Sequence, residues 1–270
     1  KRPTTPADQS EGVADGLRAL LALEGIPERA VAYLAHGTTI CINAVLEKKG
    51  AATGLVTTRG MRDLLELRRQ IRGDLYDLQA DKPEPLVPRP RRHEVAERIR
   101  FDGTVDEPLA LDEARRAIDE LVQDGIRALA VFFLHSYVNP AHERAVRELV
   151  ARHYPDLYMA ISSEVLPEFR EFERLSTTVL NAYVGPVMAR YLGRLEERVR
   201  ALGLPAPYIL QSNGGVATAS QTRERPVFTM ASGPTAGVAG AVFVAQQAGE
   251  DRIITFDMGG TSTDVCLVER

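Results

Sequence analysis

The apolar residues Val13, Leu17, Leu20, Leu21 and Leu23 fall at helical spacing, with Ser10 as a candidate N-cap and Gly25-Ile26-Pro27 as a stop. Residues 31–34 read as a short strand running into His36-Gly37-Thr38-Thr39, and a helix over 40–49 ends at Gly50. A strand at 55–58 follows, and Gly60 opens a helix at 61–70. Strand and helix therefore alternate, as they do in layered α/β folds. Residues 72–90 break the rhythm. Pro83, Pro85, Pro88 and Pro90, with no periodicity between them, predict an extended surface segment.

The alternation resumes with a strand at 93–100, a turn at Asp102-Gly103 and an amphipathic helix at 111–124. Asp112-Glu113 at its start suit the positive end of the helix dipole. Residues 128–134 are apolar throughout, the pattern of a strand covered on both faces. A helix at 140–154, a strand at 157–161 and a long helical pattern at 175–201 follow, the last interrupted around Gly185-Pro186. A strand at 208–211 meets Ser212-Asn213-Gly214-Gly215. Ser232-Gly233-Pro234 precedes a small-residue helix at 236–247, and 253–256 is the last strand. No internal repeat or low-complexity tract is visible.

Composition narrows the classes. A chain of 270 residues with 44% hydrophobic and 26% charged side chains buries a substantial core, which excludes wholesale disorder. The formal charge of −4 argues against a nucleic-acid partner held by net charge. The basic run at 89–92, isolated among prolines, reads as a solvated loop. Cys41 and Cys266 form no CxxC, so neither a disulfide framework nor a cysteine-rich zinc module is available. Cys41 reads as a packed small side chain rather than a nucleophile. The longest apolar runs, such as 129–134, fall far short of the roughly 20 residues that span a bilayer. The opening residues lack the apolar core of a signal peptide. These features predict a soluble cytoplasmic protein with no membrane association. The absent initial methionine, and an end just after the last glycine-rich turn, predict a fragment of a longer protein.

The sharpest chemical signal is Asp257-Met258-Gly259-Gly260-Thr261-Ser262-Thr263-Asp264, delivered by the apolar strand before it. Gly259 and Gly260 let backbone N–H groups approach a phosphate without a Cβ in the way. Thr261 and Thr263 add hydroxyl donors, and Asp257 suits Mg²⁺, directly or through water. Gly-Gly alone also occurs in plain hairpins; the full string favours phosphate binding.

The string resembles a phosphate-binding hairpin of the actin, Hsp70 and sugar-kinase superfamily. The rest of the chain resembles the hydantoinase A/5-oxoprolinase family through a series of motifs in order. These are His36-Gly37-Thr38-Thr39 with Asn43, residues 54–60, Asp74-Leu75-Tyr76-Asp77, Leu134-His135-Ser136-Tyr137 with Asn139-Pro140, and residues 164–174. Asn181-Ala182-Tyr183, Ser212-Asn213-Gly214-Gly215 and Ser232-Gly233-Pro234 complete the set. The resemblance implies a ribonuclease H-like (actin-like ATPase) α/β lobe with an inserted α/β region, truncated at both ends. It implies a division at 231/232, with 1–231 in the first lobe and 232–270 opening the second. A further hairpin of the same type is expected upstream of this chain. Such families use ATP and Mg²⁺ to phosphorylate a carbonyl or enolate oxygen, opening hydantoins or 5-oxoproline or carboxylating ketones. They commonly work with a hydantoinase B-type subunit or domain, so hetero- or homo-oligomers are expected. A chaperone-like nucleotide switch is the reading from another class, and the order of the family motifs stands against it.

Within that frame Asp257, Gly259, Gly260, Thr261, Thr263 and Asp264 are the candidate nucleotide residues, with Asp257 the candidate metal ligand. His36, between a strand and a helix, reads as a site residue or as a histidine that caps its own turn. His135, at the end of a buried strand, reads as a site residue or as structural. Thr38, Thr39, Asn43, Arg174 and Asn213 are the candidate substrate contacts, although Thr38 and Thr39 serve equally as helix caps. His142 reads as lying on a solvated helix face. The charge run at 169–174 reads either as a helical surface or as ion pairs near a cleft. Ser163 stands where relatives often carry histidine, and Cys41 where a smaller residue is usual.

Overall fold

The computed structural model describes residues 3, 5, 7–71, 76–77, 79, 81–258 and 263–269. The strands are β1 (Ala35–His36), β2 (Thr53–Thr58), β3 (Arg92–Val95), β4 (Arg98–Ile99), β5 (Val105–Glu107), β6 (Ala128–Phe132), β7 (Tyr158–Ile161), β8 (Tyr208–Leu210), β9 (Val216–Thr218), β10 (Ile253–Met258) and β11 (Thr263–Val268). The helices are α1 (Gln9–Glu24), α2 (Ile40–Leu46), α3 (Leu64–Leu67), α4 (Leu111–Gln123), α5 (Ala141–His153), α6 (Ser162–Val165), α7 (Glu171–Ala201), α8 (Ala219–Glu224) and α9 (Ser232–Gln247). Two compact units result: residues 50–186, and residues 1–49 together with 187–270. The first is an insertion in the chain of the second.

The 50–186 unit is built on a parallel sheet of order β3-β2-β6-β7. Every residue of β6 is buried, as its unbroken apolar run requires. Helices α4 and α5 pack against the sheet. Val56, Val95, Ile118, Leu121, Leu129, Val131, Val146 and Ile161 share one core. The chain leaves β2 toward β3 and returns on the other side of β2 at β6. The carboxyl ends of β2 and β6 therefore flank a topological switch point.

The 1–49/187–270 unit carries a sheet of order β1-β8-β9, with β1 and β8 parallel, and the antiparallel hairpin β10-β11. Helix α9 packs on β8 and on both hairpin strands. Position 231/232 lies within this compact unit, at the start of α9. Asp8 caps α1 by accepting the Ser10 N–H (3.1 Å), so the cap stands two residues ahead of the one expected. Thr218 and Gln221 form a capping box that starts α8, an element the hydrophobic pattern does not reveal.

Several boundaries differ from expectation for local reasons. The helix after His36 ends at Leu46, and Lys48 takes the left-handed turn at φ 53°. Gly50 serves packing instead: a Cβ there would lie 2.0 Å from the buried Tyr183 ring. The expected helix at 61–70 is a single turn, Leu64–Leu67, closed by Arg68 at φ 53°. The strand at 93–100 is two strands. Helix α7 runs from Glu171 to Ala201 with Pro186 inside it, so the expected interruption does not occur. The stretch Pro226–Gln247 is long and apolar enough, by length and composition alone, to cross a membrane, which corrects the expectation that every apolar run is too short. The basic run is also not free: Arg89 pairs with Asp63, Arg91 with Asp124, and Arg92 is buried against the Val87 carbonyl and Glu66.

Gly50→Ala tests the packing role of this glycine. Overpacking against the Tyr183 ring is expected to cost about 1–3 kcal/mol in urea denaturation. An unchanged midpoint would refute it.

Candidate functional site

His36 ends β1, and its Nε2 lies 2.6 Å from the Tyr191 hydroxyl, with the ring centroids 5.9 Å apart. Burial pushes the His36 pKa down to about 4 and the Tyr191 phenol up to about 12. The pair is therefore neutral over the whole physiological range. The loop beyond His36 is held by α9. The Thr38 N–H donates to Ser232 Oγ (3.2 Å), and the Ser232 hydroxyl donates back to the Thr38 carbonyl (2.9 Å). A Cβ at Gly37 would meet Ala236 Cβ, Leu210 Cδ1 and the Ser232 carbonyl, each at 3.4 Å. Those are ordinary contacts, whereas Gly233 is tighter, since a Cβ there would lie 2.7 Å from Thr39 Cγ2. Thr39 Oγ1 accepts from Asn43 Nδ2 at 3.2 Å, so both belong to the first turn of α2. Cys41 is buried below, its thiol pushed up to about 11 by burial, which leaves it an inert packing group as expected.

The same helix meets the hairpin. A Cβ at Gly237 would lie 3.7 Å from Asp257 Oδ2. Asp257 and Asp264 are cross-strand partners in the β10-β11 register, as are Met258 and Thr263. Directly opposed carboxylates repel unless a cation or a donor lies between them. Their donor set, hard oxygen only, suits Mg²⁺ completed by phosphate and water rather than an all-protein cage. Among the described residues no group of three or more His, Cys, Asp or Glu gathers as a ready-made metal site. Gly259, Gly260 and Thr261 lie outside the described residues, as do Asp74 and Leu75. Asn213 is exposed in the β8-β9 turn, where its Oδ1 accepts the Gly215 N–H (2.9 Å).

The remaining candidates lie in the 50–186 unit. His135 follows β6 in the left-handed region at φ 60°, and its Nδ1–H donates to the Ile99 carbonyl (2.8 Å). In the neutral ring this bond leaves Nε2 as the acceptor. Arg174 is 1% exposed and directs its donors into the protein: Nε to Ser162 Oγ (3.1 Å) and the two terminal nitrogens to the carbonyls of Glu168 and Phe133 (both 2.9 Å). Its guanidinium also lies over the rings of Phe132 (4.6 Å) and Tyr137 (5.1 Å). The run at 169–174 is therefore the start of α7 with a buried arginine, rather than a wholly solvated face.

Two buried carboxylates accompany it. Glu143 accepts from the N–H groups of Phe133 (2.9 Å) and Ser163 (2.8 Å) and from the Ser162 hydroxyl (2.6 Å). Glu97 accepts from the Thr58 hydroxyl and from His142 Nδ1–H (2.8 Å). His142 is thus a buried partner of Glu97, which corrects the reading of a solvated helix face. Tyr191, Glu97 and Glu143 carry no local motif. Only their placement as polar tips within apolar helical or strand patterns marks them.

A layered α/β chain with an inserted parallel-sheet unit and a glycine-rich hairpin facing a small-residue helix defines the class. Residues 1–154 match the hydantoinase/oxoprolinase N-terminal region and residues 174–270 match hydantoinase/oxoprolinase, so the chain belongs to the hydantoinase/oxoprolinase family. It is 38% identical to the caprolactamase subunit alpha of Pseudomonas jessenii, over 99% of this chain and 39% of that protein. The crystal structure of that organism's ATP-dependent caprolactamase superposes with a TM-score of 0.84 at 37% identity, over 99% of this chain and 40% of the other. A nucleotide-free acetone carboxylase superposes with a TM-score of 0.87 at 29% identity, over 98% of this chain and 40% of the other. The fold class is the α/β, actin-like ATPase class expected. The chain spans about two fifths of the length of these relatives, 39–40%.

The His36 environment has a pH signature. A histidine depressed from 6.5 to about 4 adds stability above pH 6.5, lost as the pH falls from 6.5 toward 4. Between pH 7 and pH 5 the protein should lose about 2 kcal/mol of stability that His36→Asn does not lose. Equal losses in urea titrations of the two proteins would contradict the burial of His36.

Proposed function

We propose that this chain is part of an ATP-dependent enzyme that opens a cyclic amide after phosphorylating its carbonyl oxygen. The observation that supports it most is the first two turns of α9. Ser232 holds the His36 loop, and Gly237, about 6 Å along the axis from Gly233, lies beside Asp257. A carbonyl-polarising histidine and a phosphate hairpin are thereby built onto one helix.

On this reading the amide oxygen takes the γ-phosphoryl group and ADP departs. Water then adds to the activated carbon, the C–N bond breaks with a proton passing to nitrogen, and a second water releases phosphate. His36, neutral, orients the carbonyl, and Thr38, Thr39, Asn43 and Asn213 shape its surroundings. Asp257 and Asp264 would hold Mg²⁺, which supplies charge neutralisation on the phosphates. Gly259, Gly260 and Thr261 would supply backbone and hydroxyl donors, and Thr263 a further hydroxyl. His135 and Arg174 belong to the inserted unit, where Arg174 positions the strand ends rather than touching substrate. Residues 1–231 would form the first lobe of the whole protein and 232–270 open the second. A hydantoinase B-type subunit or domain completes the enzyme, which works in the cytoplasm. The caprolactamase relative supports the cyclic-amide substrate class; the higher TM-score to acetone carboxylase supports the second reading, a ketone carboxylase subunit.

The test uses the complete protein with its co-purifying partner, ATP and Mg²⁺, scoring phosphate release against lactams, hydantoins, 5-oxoproline, and ketones with bicarbonate. Release that needs a cyclic amide and falls about 10²-fold or more in Asp257→Ala is expected. Release that needs both ketone and bicarbonate would establish the carboxylase. Turnover that ignores small molecules and responds only to a protein partner would overturn both.

A further inference from the structure

The turn after α3 has a backbone that suits glycine and carries an arginine there. The Gln70 N–H donates to the Leu67 carbonyl at 2.9 Å, and between them Arg68 takes φ 53° and ψ −134°. That is a type II′ turn, whose first central position is left-handed and favours glycine. Gln70 is left-handed as well, at φ 58°. Leu67 and Ile71 are 51% and 75% exposed, so apolar packing anchors neither end of the turn. Polar contacts hold it instead. Arg69 pairs with Glu173, Arg68 donates to the Pro83 carbonyl, and Lys82 Nζ donates to the Leu67 carbonyl at 3.3 Å.

The place of the turn gives the strain a use. Residues 59–70 leave the carboxyl end of β2, while α6 and the start of α7 follow the carboxyl end of β7. Strand β6 lies between those two strands. Arg174, next to Glu173, donates to the Phe133 carbonyl one residue past β6. The Arg69–Glu173 pair therefore bridges the loops of β2 and β7 at the end of β6, on the edge where open α/β sheets present their ligands.

We propose that residues 67–70 form a strap that closes the carboxyl edge of the inserted sheet at β6, held shut by the Arg69–Glu173 pair against the backbone strain of Arg68. Magnitudes place it near balance. An exposed ion pair favours one conformation by up to about fivefold. A non-glycine residue in such a backbone opposes it by about fivefold or more. The bonds made by Arg68 and Lys82 keep the closed form dominant. Breaking the pair lets Arg68 return to an ordinary φ and frees the edge. The strap does not depend on the cyclic-amide reading.

The experiment is hydrogen-exchange mass spectrometry of the complete protein, following the 64–71 segment with rates corrected for sequence. Glu173→Gln should speed exchange there by up to about fivefold. Raising the salt from about 0.1 M to about 1 M should speed it in the wild type and leave Glu173→Gln unmoved. Arg68→Ala and Arg68→Gly delete the same bond to Pro83, but only glycine relieves the backbone. The glycine variant should therefore exchange at least about fivefold more slowly than the alanine variant. Protection of β6 should stay unchanged throughout. Equal rates in the two Arg68 variants, or a Glu173→Gln protein that exchanges and responds to salt as the wild type does, would overturn the proposal. Protection lost from β6 together with the strap would mark unfolding of the unit and overturn it as well.

Discussion

The two-way hydrogen bond between Ser232 and Thr38 is the contact on which the candidate site depends. It joins residues 194 positions apart and satisfies both backbone groups of Thr38 with one side chain. Without it, the N–H and C=O of a buried residue would be left unpaired, at a cost of about 1–3 kcal/mol each. With it, the loop carrying His36 is drawn so close to α9 that a Cβ at Gly233 would lie 2.7 Å from Thr39 Cγ2. The same helix also meets the hairpin, with Asp257 Oδ2 beside Gly237. One helix therefore supports both ends of the chemistry proposed.

The 50–186 unit solves a different problem. Its switch-point crevice is occupied by its own side chains, with the Thr58 hydroxyl accepting the Leu134 N–H at 2.9 Å and donating to Glu97. Glu143 and Arg174 lie in the same unit, the carboxylate fully hydrogen-bonded and the guanidinium bonded through Ser162 and two carbonyls. Buried charges are tolerated when every donor and acceptor finds a partner. The arginine gains further from Phe132 and Tyr137, which present their ring faces to it.

The alternation of strands and helices, the all-apolar β6 and the hairpin that carries Asp257 and Asp264 were legible in the sequence, because period and turn chemistry are local properties. The failures share a cause. Gly50 and the 185–186 pair look like helix stops, but Gly50 makes room for Tyr183, Gly185 makes room for Tyr158, and Pro186 is carried inside α7. His142 looks like a surface residue because its partner Glu97 is remote in the chain. Tyr191 carries no local motif, since its partner stands 155 positions away. Long-range pairing decides each of these cases.

The most direct test of the account is a crystal structure of the complete protein with a non-hydrolysable ATP analogue and a cyclic amide. The account predicts the γ-phosphate at the hairpin that begins with Asp257, and the amide oxygen within hydrogen-bonding distance of His36 Nδ1. A cyclic amide bound elsewhere, with His36 facing no ligand, would contradict it.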